Sequence, residues 1–158
     1  MKIFTKMSKL VLIMSLFSFG LISTAHAGWV NVGTQNFSPG IANSPIIAID
    51  KATQTPYVAF ADGNNGDRLS VMMFDGSTWS TIGSAGISVG TSYHHAFTID
   101  KAGILYVAYI DVGLANAICV KKFDGNDWVS LDGQNSCTSP GCYSISFITD
   151  TVDTPYLA

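Results

Sequence analysis

Landmark residues return along this chain at a fixed offset of about fifty, and that periodicity constrains the fold more than any other feature. Trp29, Trp79 and Trp128 are separated by 50 and 49 residues, and Gly33, Gly83 and Gly133 by 50 and 50. Asp50, Asp100 and Asp150 follow at 50 and 50, Tyr57, Tyr106 and Tyr156 at 49 and 50. The phrase FDGSTW at 74–79 returns as FDGNDW at 123–128. Repeats of this length are supersecondary units that hide their apolar faces by stacking on copies of themselves.

Within one period the pattern predicts four short strands divided by turn residues. The first is PIIAID (45–50), matched by AFTID (96–100) and SFITD (146–150). PYVAFAD (56–62) follows, matched by LYVAYID (105–111) and PYLA (155–158). LSVMMF (69–74) and ICVKKF (118–123) form the third, STWSTIG (77–83) and NDWVSLDG (126–133) the fourth. Tyr, Val, Phe and Ile dominate these runs, as strands favour. No window after residue 28 carries a helical period with caps, so the chain reads as all-β.

All eleven acidic residues are aspartates. A short carboxylate bonds its own backbone at a turn better than glutamate does. Asp75-Gly76 and Asp124-Gly125 therefore mark tight hairpin turns, with Trp79 and Trp128 placed just beyond for packing between sheets.

The pattern W-x-x-x-G, I-D, Y-V-A-[FY]-x-D and F-D-G-x-x-W resembles the repeat of secreted bacterial β-propellers with blades of kelch-like length, a mostly uncharacterised group. The likeness covers nearly all of residues 29–158. It implies four-stranded antiparallel blades, about two and a half of them. The chain departs from standard kelch blades in lacking a Gly-Gly doublet, from WD-type blades in lacking the Trp-Asp ending, and from the sialidase Asp-box in its Asp–Gly spacing. In this reading residues 28–33 are a lone fourth strand, 34–83 blade 1, 84–133 blade 2, and 134–158 an incomplete blade 3. A closed ring needs at least about four blades. The expectation is thus a fragment of a longer propeller, the alternative a short chain that closes its ring by oligomerising.

Lys2, Lys6 and Lys9 precede an uncharged run from Leu10 to Ile22 and an Ala25-His26-Ala27 ending. This is the pattern of a secretory signal peptide over residues 1–27, with export to the periplasm or beyond and no membrane attachment after cleavage. The thirteen-residue run is short for a membrane anchor, and no cysteine sits at the cut to take a lipid. Cleavage leaves five basic against eleven acidic residues, a formal charge of −6, with no basic run. That excludes the clustered cations on which nucleic-acid binding rests.

Cys137 and Cys142 bracket CTSPGC, whose Pro-Gly favours a turn, and a local disulfide is expected there, with two free loop thiols as the alternative. Cys119, matching Ser70 of the previous repeat, is then left over and need not be a core residue. The spacing of the three does not fit zinc, and no metal or cofactor is expected.

Three loops, 34–44, 84–95 and 134–143, differ between repeats and are the segments available for recognition. His94 and His95 end the second, but neighbours in a strand point to opposite faces and would not share a metal. DGNNGD (62–67) offers oxygens as a calcium loop would, yet its acids are out of register with the EF-hand pattern, so a plain turn is expected. Asp50, Asp100 and Asp150, like Asp62 and Asp111, recur in successive repeats; a catalytic carboxylate pair is needed once, a turn in every blade. With no catalytic residue singled out, the leading expectation is a non-enzymatic exported propeller that binds or scaffolds a protein or glycan. A propeller lectin is the second reading, and a propeller hydrolase, lyase or quinoprotein with its site partly in absent blades the third.

Overall fold

The computed structural model describes residues 30–131 and 144–158, and the backbone of 137–138. Trp29 and Cys142, and the side chain of Cys137, lie outside the described residues. The described residues are all-β and fold as an unclosed partial propeller. One sheet has the order β1-β2-β3-β4, from strands Ala42–Ile49, Pro56–Asp62, Arg68–Phe74 and Trp79–Thr81. The second repeats it with β5 (Ser92–Ile99), β6 (Leu105–Asp111), β7 (Ala117–Phe123) and β8 (Trp128–Ser130), and adds β9 (Cys137–Thr138) on β7. β10 (Phe147–Thr149) and β11 (Pro155–Leu157) form a third, two-stranded sheet. All pairings are antiparallel.

Four details differ from the sequence reading. The first strand begins earlier than the apolar run, because β1 and β5 each carry a bulge, between Asn43 and Ile46 and between Tyr93 and Ala96. At both bulges a non-glycine residue takes positive φ, Ser44 at 49° and His94 at 51°. The fourth strand is shorter than its landmarks and runs in two pieces. After β4, Ile82 N–H donates to Val71 O, the chain swings out through Gly83, and Ile87 N–H then donates to Leu69 O. β9 is the second piece in the next blade, which explains a strand the sequence did not announce. The Asp-Gly turns are four-residue loops. Asp75 Oδ1 accepts from the N–H groups of Ser77 (2.8 Å) and Thr78 (2.7 Å), and Asp124 Oδ1 from those of Asn126 and Asp127 (both 2.9 Å). Finally, the residues described from the 28–33 segment form no strand.

Both faces of each central sheet are apolar, so each must be covered. Ala59, Leu69 and Val71 of the first sheet meet Phe97, Leu105, Val107, Tyr109, Cys119 and Trp128 of the second in one buried cluster. On the far side of the first sheet, Val58, Phe60 and Met72 are covered by Phe37 and Trp79. On the far side of the second, Ala96, Ala108 and Val120 receive Leu131, Ile145 and Phe147. Alternation along β2 and β6 thus serves two neighbours at once.

One contact recurs with the repeat. The indole N–H of Trp79 donates to Val32 O (2.8 Å), and that of Trp128 to Ile82 O (3.0 Å). In each case the next residue is a glycine at positive φ, Gly33 at 75° and Gly83 at 64°. A Cβ on Gly33 would stand 3.1 Å from Trp79 Cδ1, and one on Gly83 3.0 Å from Trp128 Cδ1. Glycine allows both the conformation and the close approach of the ring. Replacing Gly83 by Ala is expected to cost about 2–3 kcal/mol, through backbone strain and contact together. Gly125→Ala, at φ 99° with open space around it, should cost only about 1 kcal/mol; urea unfolding of the two variants checks the difference.

Candidate functional site

The first strands of the three sheets lie side by side, and their C-terminal ends surround an open depression of about 740 Å3. Each repeat contributes the corner after its first strand: Asp50-Lys51, Asp100-Lys101 and Asp150-Thr151, beneath Ile49, Ile99 and Thr149. This is where a propeller gathers equivalent residues from successive blades, in a concave surface open to a ligand.

Its carboxylates are already engaged. Asp50 accepts from the N–H of Ala52 (2.8 Å) and the hydroxyl of Thr53 (2.8 Å). Asp100 accepts from Ile104 N–H (2.8 Å) and the Tyr106 hydroxyl (3.1 Å). Asp150 accepts from the N–H groups of Val152 and Thr154 (both 2.9 Å) and the Tyr156 hydroxyl (3.2 Å). Backbone hydrogen bonds hold Asp50 and Asp150 below the usual carboxylate range, chiefly those from Ala52 and Thr154. The tyrosines are raised, Tyr156 by its hydroxyl bond to Asp150, and Tyr106 by burial followed by its bond to Asp100. Tyr57, edge-on to Phe97 at 6.4 Å, is raised by burial. A carboxylate so saturated is a strong turn and a poor general base. Lys101 binds across to the third sheet, its Nζ donating to Thr151 O (2.6 Å) and its N–H to Asp153 Oδ1 (3.0 Å). Lys51 remains exposed at the rim.

The second recurrent pair is buried. Asp62 caps a single 3-10 turn at Gly63–Asn65 and Asp111 its counterpart at Val112–Leu114, each turn leaving through a left-handed residue, Gly66 or Ala115. DGNNGD and DVGLAN are therefore one structure with two sequences. Asp111 accepts from the N–H groups of Val89 (2.8 Å), Gly90 (2.9 Å) and Gly113 (2.9 Å), tying the end of β6 to the loop that enters its own blade. Asp62 is engaged by Asn64 N–H (3.0 Å) and the Asn65 amide (2.6 Å). Among the described residues no three His, Cys, Asp or Glu side chains gather as a metal site.

The loops are less free than their sequences imply. Ser38 Oγ donates to Gly40 O and Ser88 Oγ to Gly90 O, both at 2.7 Å. Ser-x-Gly is thus a further landmark of the repeat, and it returns in sequence as Ser139-Pro140-Gly141. A comparison of loops anchored on Ser rather than on aromatic residues would have found it.

His94 and His95 separate as neighbours at a bulge do. His94 is exposed, its ring edge-on to Tyr93 at 5.0 Å. His95 is half-buried between blades: Nδ1 lies 2.8 Å from Ser44 O and Nε2 3.0 Å from Ser92 Oγ. A carbonyl can only accept, so Nδ1 carries the proton and Nε2 accepts from Ser92 in the neutral ring. The spacing is that of a nucleophile and its base. Ser92 is nevertheless buried, at 2 % exposure, and its hydroxyl also lies 3.4 Å from Asp67 O. The pair ties one blade's bulge to the next.

Cys119, expected to be left over, is disulfide-bonded and belongs to the buried cluster between the sheets, at 2 % exposure. The chain's other cysteines are Cys137 and Cys142. A bond from Cys119 to either competes with the Cys137–Cys142 bond expected from the sequence, whose side chains lie outside the described residues. No helix among the described residues is long and apolar enough to cross a membrane. No protein-family model, curated protein or solved structure matches this chain.

Two outcomes follow from these contacts. Burial holds His95 below the ordinary histidine range, so over that interval the unfolded chain binds the extra proton. Stability should be fully present above about pH 6.5 and fall as pH drops below it, and His95→Gln should flatten that part of the melting-temperature profile. Asp111→Asn turns two acceptor oxygens into one acceptor and one donor facing three N–H groups, and should cost about 2–4 kcal/mol in chemical denaturation.

Proposed function

We propose that this chain is the arc of an exported, non-enzymatic β-propeller that serves as a binding or scaffolding module for a protein or glycan, built on blades of kelch-like length. The observation that supports this reading is the commitment of every recurrent reactive group to the blade itself. Asp50, Asp100 and Asp150 close turns, Asp62 and Asp111 cap them, and Asp75 and Asp124 shape hairpins. Trp79 and Trp128 spend their N–H groups between blades. The surfaces open to a partner include the axial depression with Lys51 at its rim, and apolar side chains of β1, β10 and β11. Ile47, Ile49, Ile148 and Leu157 are 62, 53, 63 and 38 % exposed.

A lectin reading needs equivalent aromatic rings open to solvent in every blade. Trp128 is buried and Trp79 is stacked on Phe37 at 4.4 Å, so the rings do not favour it. For the enzymatic alternative, the side-chain contact of Ser92 with His95 is enclosed.

Export is tested by fusing residues 1–40 to a reporter enzyme active only outside the cytoplasm; activity is expected, with the released mature chain beginning at Gly28. For the binding role, a photoreactive residue in place of Lys51 should give a discrete macromolecular adduct in the exported protein. Turnover of a glycoside, ester or phosphate substrate, lost in Asp100→Asn or His95→Gln while melting is unchanged, would contradict the reading.

A further inference from the structure

We propose that Cys119 is bonded to Cys137, a covalent strap that fastens the broken fourth strand of the second blade to its third strand. Three observations lead there. Cys119 is in a disulfide. In the β7–β9 ladder the residue directly opposite Cys119 is Cys137, next to the pair Ile118 and Thr138. Directly opposed residues of an antiparallel pair have Cα atoms about 4.5–5.5 Å apart, inside the roughly 4.4–6.8 Å that a disulfide spans. Cys142 stands five residues further along, beyond that register.

The first blade shows what the strap replaces. Its third strand carries Ser70 at the position of Cys119, and the segment that returns to it begins at Gly86 and Ile87, the positions of Cys137 and Thr138. There Ser70 Oγ accepts from Gly86 N–H (3.0 Å), while Ile87 N–H donates to Leu69 O (2.7 Å). One blade holds the returning strand with a hydroxyl, the other with sulfur. The reason lies in the detour. Four residues, 82–85, separate the end of β4 at Thr81 from Gly86, whereas six, 131–136, separate the end of β8 at Ser130 from Cys137. A longer excursion costs more chain entropy to close, and a covalent link removes that cost from the unfolded state.

The bond forms by thiol–disulfide exchange with an oxidised thiol donor, a small-molecule or protein disulfide. One cysteine thiolate attacks the donor disulfide and expels one donor thiol. The second thiolate then attacks the mixed disulfide and expels the other. The two protons end on the two donor thiols, and the donor takes up the two electrons. The assignment does not rest on the proposed binding role and survives its failure.

Differential alkylation of the full oxidised chain tests it. Free thiols of the denatured, unreduced protein are blocked with a light maleimide at pH 6; the protein is then reduced and labelled with a heavy one, and the sites are located by fragment mass spectra. The expected result is light label on Cys142 and heavy label on Cys119 and Cys137. Light label on Cys137, on Cys119, or on all three overturns the assignment. A second measurement uses melting with and without reductant. Cys142→Ser should keep the full reductant-dependent drop, roughly 5–10 °C, and Cys137→Ser should melt lower and lose that dependence. The reverse ranking would also overturn it.

Discussion

A sheet that is apolar on both faces cannot stand alone in water, and that constraint governs this chain. Ala59, Leu69 and Val71 on one side of the first sheet and Val58, Phe60 and Met72 on the other must each find cover. The inner face is covered by a copy of the same unit about fifty residues away, and the far face by Phe37 and Trp79. Burial is non-directional and would tolerate many relative placements of two such sheets. The indole-to-carbonyl bonds from Trp79 to Val32 and from Trp128 to Ile82, each beside a glycine that admits the ring, choose one placement and repeat it. Hydrophobic area supplies the drive, and these bonds the register.

Most of the architecture was legible because those directional contacts demand particular residue types. Only tryptophan combines a large ring with a lone donor, and glycine best tolerates positive φ under it. Aspartates at strand ends were legible for the same reason. What escaped was set by geometry that leaves no composition signal. The bulges at Ser44 and His94 use two unrelated residues at one backbone conformation, and the 3-10 turns after Asp62 and Asp111 share almost no sequence. The interrupted fourth strand was invisible because its second piece is only two residues long in the second blade.

The candidate site was readable mainly by subtraction. Recurrence of Asp50, Asp100 and Asp150 pointed away from chemistry, and their hydrogen bonds to turn N–H groups and tyrosine hydroxyls give that inference a physical basis. Cys119 could not be placed from sequence, since its match to Ser70 pointed to an ordinary strand position; burial of that position follows from the neighbouring sheet. His95 is the converse case, a residue with a reactive-looking partner whose ring ties Ser44 of one blade to Ser92 of the next. In a repeat protein the groups that look chemical are first to be checked as ties between copies.

The claim that each blade depends on its neighbour is tested most directly by native-state hydrogen exchange on the full chain with Trp128→Phe, which removes the donor to Ile82 O and keeps an aromatic ring. Amides of Ala59, Phe60 and Val71 in the first sheet should lose protection together with those of Val107, Ala108 and Tyr109 in the second, and by similar amounts. Loss confined to the second sheet, with the first unchanged, would show that the blades stand independently.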